Sequence, residues 1–275
     1  METKTERTTT QNKELEQLCQ TILSKVCQTN RNRPTEKCAL NSTDTTHSKS
    51  FNLFEEDGIV YAEPTESYLR EMNAKRLAFA SIPHIYEDTR FEHLKTEYYK
   101  ADVTPLLDQV KSFAKDFDLA KTTGTGLYIW SEQKGSGKTM TVCALANELL
   151  SQGKQVRFAT SARILQEIRN TYQQNAEYSE SRMMGDLKTC ELLIIDDFGV
   201  EKVTDWVQEK MYEIINERYL ASRPTIFTAN TSIDNLPYNE RVTNRVGAMS
   251  IELHYPEESV RKMTGMLKKM LFKKG

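Results

Sequence analysis

A glycine-rich run with a lysine and a hydroxyl residue has the composition of a phosphate-binding loop. Residues 135–139 read Gly-Ser-Gly-Lys-Thr and follow an apolar stretch, Leu127–Trp130. Glycines let the backbone turn so that consecutive N–H groups face phosphate oxygens, and a helix beginning near Lys138 adds its positive end. Lys138 can also reach the β- and γ-phosphates, a catalytic role. The predicted nucleotide-binding residues are Gly135, Ser136, Gly137, Lys138, Thr139 and Met140.

Two adjacent carboxylates end another apolar stretch. Asp196 and Asp197 follow Leu192–Ile195 directly. The carboxyl ends of parallel strands face the ligand crevice of such a sheet, and carboxylates bind Mg²⁺. We therefore predict Asp196 and the Thr139 hydroxyl as Mg²⁺ ligands and Asp197 as the group that orients or deprotonates a water. Glu201 is a reserve candidate for that base, and a strand followed by a polar turn is the purely structural alternative.

The loop departs from the usual pattern G-x-x-x-x-G-K-[ST] at one position. Glu132 stands where the first glycine is expected. Because that glycine mainly eases the bend from strand to loop, we expect a changed loop geometry and a preserved phosphate cradle.

Further polar residues follow these motifs, each with a structural alternative. Asn230 ends the apolar stretch Thr225–Ala229 and could hold the attacking water, or cap a turn. Arg241 and Arg245 share a predicted helix face, which is either solvated or carries an arginine finger for a neighbouring subunit. Arg261 begins the last predicted helix and could touch the nucleotide of its own chain.

Short apolar strands alternate with amphipathic helices from residue 126 onward. The predicted strands are Leu127–Trp130, Gln155–Ala159, Leu192–Asp196 and Thr225–Thr228. The predicted helices are Thr104–Phe117, Lys138–Ser151, Ala162–Gln173, Val203–Ala221, Glu240–Ala248 and the basic segment Arg261–Gly275. The basic segment suits either phosphate-backbone binding or a soluble helix end. This alternation predicts an α/β fold, a parallel sheet flanked by helices.

The first 80 residues have a different texture. Leu15, Leu18, Ile22 and Val26 predict an amphipathic helix from Asn12 to Cys27, followed by a polar linker to Ser50. The segments Phe51–Ala62 and Glu66–Ala80 predict a short hairpin and a helix. We therefore expect a small, mainly helical N-terminal domain, residues 1–80, and a second domain, residues 81–275.

Composition excludes several classes of protein. Of the 275 residues, 38% are hydrophobic and 28% charged, and the net charge is -2, which favours a folded chain without a global attraction to nucleic acid. Five cysteines without a C-x-x-C pair argue against a disulfide framework, and Cys19, Cys27, Cys38 and His47 fit no common zinc spacing. No apolar signal or membrane segment is visible, so a cytoplasmic location is expected.

Taken together, these residues resemble a known family. The runs Leu192–Asn230 and Gly126–Leu150 resemble bacterial and phage replicative-helicase loaders of the DnaC/DnaI type, which are AAA+ ATPases. The segments Glu240–Arg245 and Glu258–Arg261 resemble them as well, and the resemblance covers residues 82–265.

The resemblance implies an ATPase that uses ATP and Mg²⁺ and helps place a hexameric replicative DNA helicase on single-stranded DNA. Residues 1–80 would contact the helicase, although they lack the Cys/His zinc ligands of some loaders. By residue, it implies Walker A at Lys138 and Thr139, Walker B at Asp196 and Asp197, sensor 1 at Asn230, an arginine finger at Arg245 and sensor 2 at Arg261. Many related ATPases have Glu in place of Asp197, so slow, switch-like hydrolysis is expected.

Other functions remain open at this level. A transposition-associated AAA+ ATPase would share the same core and differ in its partner. A non-catalytic regulator of helicase or loader would not need the intact motifs at Lys138, Asp196 and Asn230. A small-molecule kinase would leave Asn230, Arg245 and the N-terminal region unexplained.

Overall fold

A computed structural model of the chain describes residues 38–40, 50–56, 59–172 and 180–265. The chain forms two compact units, Met1–Lys75 and Arg76–Gly275. The predicted helix from Asn12 to Cys27 lies outside the described residues.

The first unit contains a three-stranded antiparallel sheet. Strands β1 (Cys38–Leu40), β2 (Phe51–Glu56) and β3 (Ile59–Pro64) pair in the order β1-β3-β2. The hairpin predicted over Phe51–Ala62 is confirmed, with Glu56 opposite Ile59. The linker prediction is wrong at Cys38–Leu40, because backbone pairing with β3 makes a strand of a segment that has no strand pattern of its own. The described part of residues 1–80 therefore contains strands, whereas the sequence predicts a mainly helical domain there.

Helix α1 (Glu66–Ala80) follows β3 as predicted, and the unit boundary falls within it. In the first unit the ring of Tyr68 packs on that of Phe51, with centroids 5.1 Å apart. This aromatic contact links the hairpin to the start of α1, and the Thr65 N–H donates to the Ser50 carbonyl at 2.9 Å beside it.

The second unit is built on a five-stranded parallel sheet. Its strands are β4 (Gly126–Trp130), β5 (Val156–Thr160), β6 (Leu192–Phe198), β7 (Thr225–Ala229) and β8 (Ser250–His254). They lie in the order β5-β6-β7-β4-β8. Both faces of the sheet are covered, which explains why the residues of β6 and β7 are buried almost throughout, without alternation.

Helices cover the two faces of this sheet. They are α2 (Thr104–Lys115), α3 (Phe117–Thr123), α4 (Lys138–Ser151), α5 (Ser161–Asn170), α6 (Glu180–Thr189), α7 (Asp205–Leu220) and α8 (Glu240–Met249). One apolar cluster packs α4 and α2 on one face, and a second packs α5 to α8 on the other. This architecture confirms the predicted parallel sheet flanked by helices.

Predicted and observed elements differ at a few places. Helix α6 and the edge strand β8 are absent from the predictions, and the long helix predicted over Thr104–Phe117 ends at Lys115 before the separate helix α3. Strand β8 has no strand signal in the sequence because only Leu253 of its five residues is buried, so it lacks the apolar run that begins β6. Beyond Val260 the described residues are helical to Gly265.

Candidate nucleotide-binding site

A cleft of about 580 Å³ opens at the carboxyl ends of β4, β6 and β7. Its lining brings together the phosphate-binding loop, the acidic strand end and the segment that follows β8. The lining residues are Tyr86, Lys134, Gly135, Ser136, Gly137, Lys138, Thr139, Met140, Asp197, Val200, Asn230, Val260, Arg261, Thr264 and Gly265. All of the predicted nucleotide-binding residues thus line one cleft, and Asp196, which is not among the lining residues, is bonded to Thr139.

The phosphate-binding loop requires two of its glycines. Gly135 and Gly137 have φ angles of 77° and 111°, in the region that side chains rarely adopt. A Cβ at Gly137 would lie 2.5 Å from the hydroxyl oxygen of Tyr99. Tyr99 in turn donates a hydrogen bond to the carbonyl of Ser136 at 2.6 Å, so an aromatic residue outside the loop fixes its backbone.

Lys138 is held inside the loop at the first turn of α4. Its side chain is buried, and its ammonium donates to the carbonyls of Ser131 and Gln133 at 3.1 and 3.4 Å and contacts the Ser136 hydroxyl at 3.3 Å. Burial lowers the pKa of Lys138, while Asp197 and other nearby carboxylates oppose that shift. Its direct partners are neutral, so an anionic phosphate would be a better partner for this charge than any of them.

Asp196 is a buried carboxylate bonded by two hydroxyl groups. Thr139 donates to its two oxygens at 3.0 and 3.2 Å, and Thr228 on the neighbouring strand β7 donates at 2.5 Å. Burial raises the pKa of Asp196 and the neighbouring Asp197 raises it further, while the two hydroxyl bonds lower it. The hydroxyl and carboxylate predicted as Mg²⁺ ligands are therefore in contact.

A bulge in β6 directs Asp197 into the cleft. The pairing of β6 with β7 shifts register between Ile195 and Phe198, and Asp197 has a φ of 54°. In a regular strand, successive side chains point to opposite faces, so two adjacent acids could not both reach one site. The Asp197 N–H donates to the Thr228 hydroxyl at 3.0 Å. Thr228 therefore supports both acids, and the backbone strain lies at the site itself.

Asn230, which the sequence predicts to hold the attacking water, follows β7 and lines the cleft together with Asp197. Glu201, the reserve base, is engaged elsewhere. It accepts a hydrogen bond from the Ser161 hydroxyl at 2.5 Å and another from the Tyr238 hydroxyl. This geometry favours Asp197 over Glu201 as the water-orienting group.

Glu132 takes part in an unexpected contact. Its N–H and that of Gln133 donate to the two carboxylate oxygens of Glu257 at 3.0 and 2.7 Å. The carboxylate of Glu257 is therefore bound to the start of the loop, at the position of the missing glycine.

The three predicted arginines occupy different places. Arg261 lines the cleft, and its N–H donates to the carbonyl of Gly135 at 3.1 Å. Arg245 is not among the residues that line the cleft of its own chain. Its guanidinium lies 5.5 Å from the centre of the Tyr219 ring, and Nε donates to Asn216 at 3.3 Å. Arg241 stacks on Tyr212 at 4.3 Å.

The residues present fit a magnesium nucleotide. The loop has a backbone cradle that a side chain at Gly137 would obstruct, and the acid–hydroxyl pair Asp196–Thr139 consists of the oxygen ligands that Mg²⁺ prefers. Sequence reasoning missed Thr228, Tyr99 and Glu257. No local motif marks them, because each acts from a segment that only the sheet order and the chain path bring to the loop.

Comparisons with known proteins agree with this geometry. Residues 128–238 match the family model described as IstB-like ATP binding protein. The replicative helicase loader DnaC of Escherichia coli K12 is 27% identical over 194 residues, which cover 70% of this chain and 76% of that protein. The phage-like element PBSX protein XkdC of Bacillus subtilis is 28% identical over 194 residues, covering 68% and 70%. A crystal structure of the DnaC helicase loader superposes with a TM-score of 0.55 at 20% identity, covering 63% of this chain and 100% of that one.

The predicted resemblance to helicase loaders of the DnaC/DnaI type is thereby confirmed, and the second unit has the AAA+ P-loop fold. The match to an ATP-binding family spans the loop and both Asp196 and Asp197, which supports nucleotide binding in this cleft. Within the part of the chain that the structure describes, no helix is long and apolar enough to span a bilayer.

Proposed function

We propose that this chain is an ATP-dependent loader that binds a hexameric replicative DNA helicase and helps place it on single-stranded DNA. The observation that carries the proposal is the assembled cleft in a chain whose sequence is similar to DnaC over 194 residues. Nucleotide binding in the cleft would switch the loader between states, and the similarity to DnaC indicates a replicative helicase as the partner.

In this proposal the chain's own residues divide the work of ATP hydrolysis. The loop amides and Lys138 bind the phosphates, and Thr139 and Asp196 hold Mg²⁺, which neutralises charge on the phosphate oxygens. Asp197 and Asn230 orient the attacking water from the ends of β6 and β7. Because the Asp197 side chain is shorter than a glutamate, hydrolysis is slow and suits a switch.

Arg245 has its proposed role in a neighbouring subunit. In its own chain it lies away from the cleft, stacked on Tyr219 and bonded to Asn216. A guanidinium held in this way loses little further freedom when it meets a phosphate. Self-association through this surface would place Arg245 at the next subunit's nucleotide, while Arg261 contacts the nucleotide of its own chain.

The proposed division of labour assigns residues 1–80 to the helicase and residues 81–275 to nucleotide and single-stranded DNA. ATP binding would order the subunits around the helicase, and DNA would stimulate hydrolysis and release. A transposition-associated ATPase is the alternative. The match over residues 128–238 lies in the core common to both classes and does not separate them.

The test uses the full chain and the replicative helicase of its host. Native mass spectrometry should detect a loader–helicase complex that changes with ATP, and helicase loading on single-stranded circular DNA should increase. Lys138→Ala should lose nucleotide binding and the ATP-dependent part of loading. Capture of a transposase with no complex with helicase would refute the proposal in favour of the alternative, and full activity of Lys138→Ala would favour a non-catalytic regulator.

A further inference from the structure

The carboxylate of Glu257 connects the start of the phosphate-binding loop to the segment after β8. Oε1 and Oε2 accept from the N–H groups of Glu132 and Gln133 at 3.0 and 2.7 Å. His254 approaches Oε1 with Nε2 at 2.9 Å. Burial alone would raise the pKa of Glu257, but the hydrogen bonds from His254 and the two amides outweigh it, so the pKa is lowered. These are charge-assisted hydrogen bonds to an ionised group.

The contact lies at the position where the loop lacks its usual glycine. Among the described residues, the non-glycine positions with positive φ are Ser81, Asp197 and Ser222, so Glu132 has an ordinary backbone conformation. The loop therefore does not need a glycine's freedom at residue 132. Its first two amides bond to Glu257, which does not line the cleft, and the cradle is left to the residues from Lys134 onward.

The same segment contacts the loop at two other points. The Arg261 N–H donates to the Gly135 carbonyl at 3.1 Å, and the Ser131 hydroxyl donates to the carbonyl of Pro256 at 3.2 Å. A Cβ on Gly135 would lie 2.9 Å from Cβ of Arg261. Residues 256–261 therefore run along the loop, and any change in the loop's path changes the place of Arg261 in the cleft.

We propose that Glu257 is a positioning residue for nucleotide binding: its carboxylate fixes the path of a loop that has no glycine at residue 132 and thereby sets the cleft position of Arg261. The inference rests on nucleotide binding, one part of the proposed function, and is independent of any helicase. Glu257 acts through the loop backbone and through Arg261 and does not itself touch the phosphates.

The test compares Glu257→Ala and Glu257→Gln with the neighbouring Glu258→Ala in the full chain. Glu258 accepts from the Lys100 N–H at 3.1 Å, and no bond from it to residues 131–139 is found in the described part of the chain. ATP affinity is measured by calorimetry with Mg²⁺, together with kcat, KM, Tm and hydrogen exchange at residues 132–133.

Losing two amide bonds to a carboxylate should raise the ATP Kd and KM of Glu257→Ala by about ten-fold or more. Glutamine keeps one neutral acceptor, so Glu257→Gln should show a smaller rise of about three-fold. The amides at residues 132–133 should exchange faster in Glu257→Ala, while kcat at saturating ATP and the values for Glu258→Ala stay near those of the wild type.

Equal ATP affinity in Glu257→Ala and the wild type would overturn the role of Glu257 and leave the proposed function intact. Equal loss of affinity in Glu257→Ala and Glu258→Ala, with a matching fall in Tm, would also overturn it, because the effect would then be general destabilisation. A wild-type chain that binds no ATP would instead refute the proposed function, and the positioning role with it.

Discussion

Asparagine in place of Asp196 should stabilise the protein when nucleotide and Mg²⁺ are absent. Asp196 is only 4% exposed, and burial raises the pKa of its carboxylate because the ionised form is poorly solvated. The hydroxyls of Thr139 and Thr228 donate hydrogen bonds to this carboxylate, but these bonds do not offset the rise in pKa that burial causes. The charge of Asp197 repels the ionised carboxylate and raises the pKa further. Asparagine has the same shape, keeps one carbonyl oxygen for these hydroxyls and carries no charge.

The size of the effect follows from the opposing contributions. Burying one ion costs several kcal/mol in real proteins. Each hydroxyl bond to a charged acceptor recovers about 1.5–3 kcal/mol. The net cost of the Asp196 charge is then about 1–2 kcal/mol. A folded unit of this size gains about 2–4 °C in Tm per kcal/mol, so Asp196→Asn should melt roughly 2–8 °C higher.

The sign of the pH dependence is fixed by the raised pKa. Below the ordinary value of 3.8 the group is protonated in the folded and the unfolded chain, and it contributes nothing. As the pH rises above that value, the unfolded chain ionises first and the wild type loses stability, until the pH passes the raised folded pKa. The advantage of Asp196→Asn should therefore grow with pH across this window and stay constant above it.

Differential scanning calorimetry in EDTA, at several pH values from about 4 to 8, measures this difference. With ATP and Mg²⁺ at about 100 times Kd, the wild type should gain about 2.7 kcal/mol, and Asp196→Asn should gain less. Thr228→Val is the control: it removes the hydroxyl that supports Asp196 and Asp197 without changing side-chain shape, and should melt lower than the wild type. If Asp196→Asn melts no higher than the wild type in EDTA near neutral pH, the reasoning about the buried charge is wrong.

Two further predictions concern arginines. Arg245→Ala should bind ATP with an unchanged Kd, but the kcat of the assembled protein should fall by about 10³–10⁵. Arg241→Ala should change kcat little. The reverse pattern in steady-state ATPase assays would make Arg241 the finger. Arg218 is fully buried and donates to Thr225 and to the backbone carbonyls of Leu187, Cys190 and Pro224. Arg218→Met should therefore lower the free energy of unfolding by about 3–5 kcal/mol, measured by urea titration. An unchanged midpoint of unfolding would contradict this prediction.

The sequence predicts the parts of the site that consist of a few consecutive residues. The phosphate-binding loop, the acidic strand end and the start and end of α4 were all predictable, because each requires particular residue types at fixed spacing. The strand order, the bulge at Asp197 and the support from Thr228 were not predictable, since hydrogen bonds between distant segments create them. Glu257 lies four positions before Arg261, but nothing in the sequence shows that it binds the loop.

In a single chain, the binding groups and the proposed finger are separated. Asp196, bonded to Thr139 across 57 positions of sequence, is already beside the phosphate-binding loop, and Arg261 is tied to Gly135. Arg245 is held elsewhere by Tyr219 and Asn216. If the proposed function is right, an isolated chain therefore has what it needs to bind a nucleotide and lacks one group that speeds hydrolysis. Binding would then be independent of protein concentration, while kcat would rise as subunits or a helicase partner bring Arg245 to the next cleft.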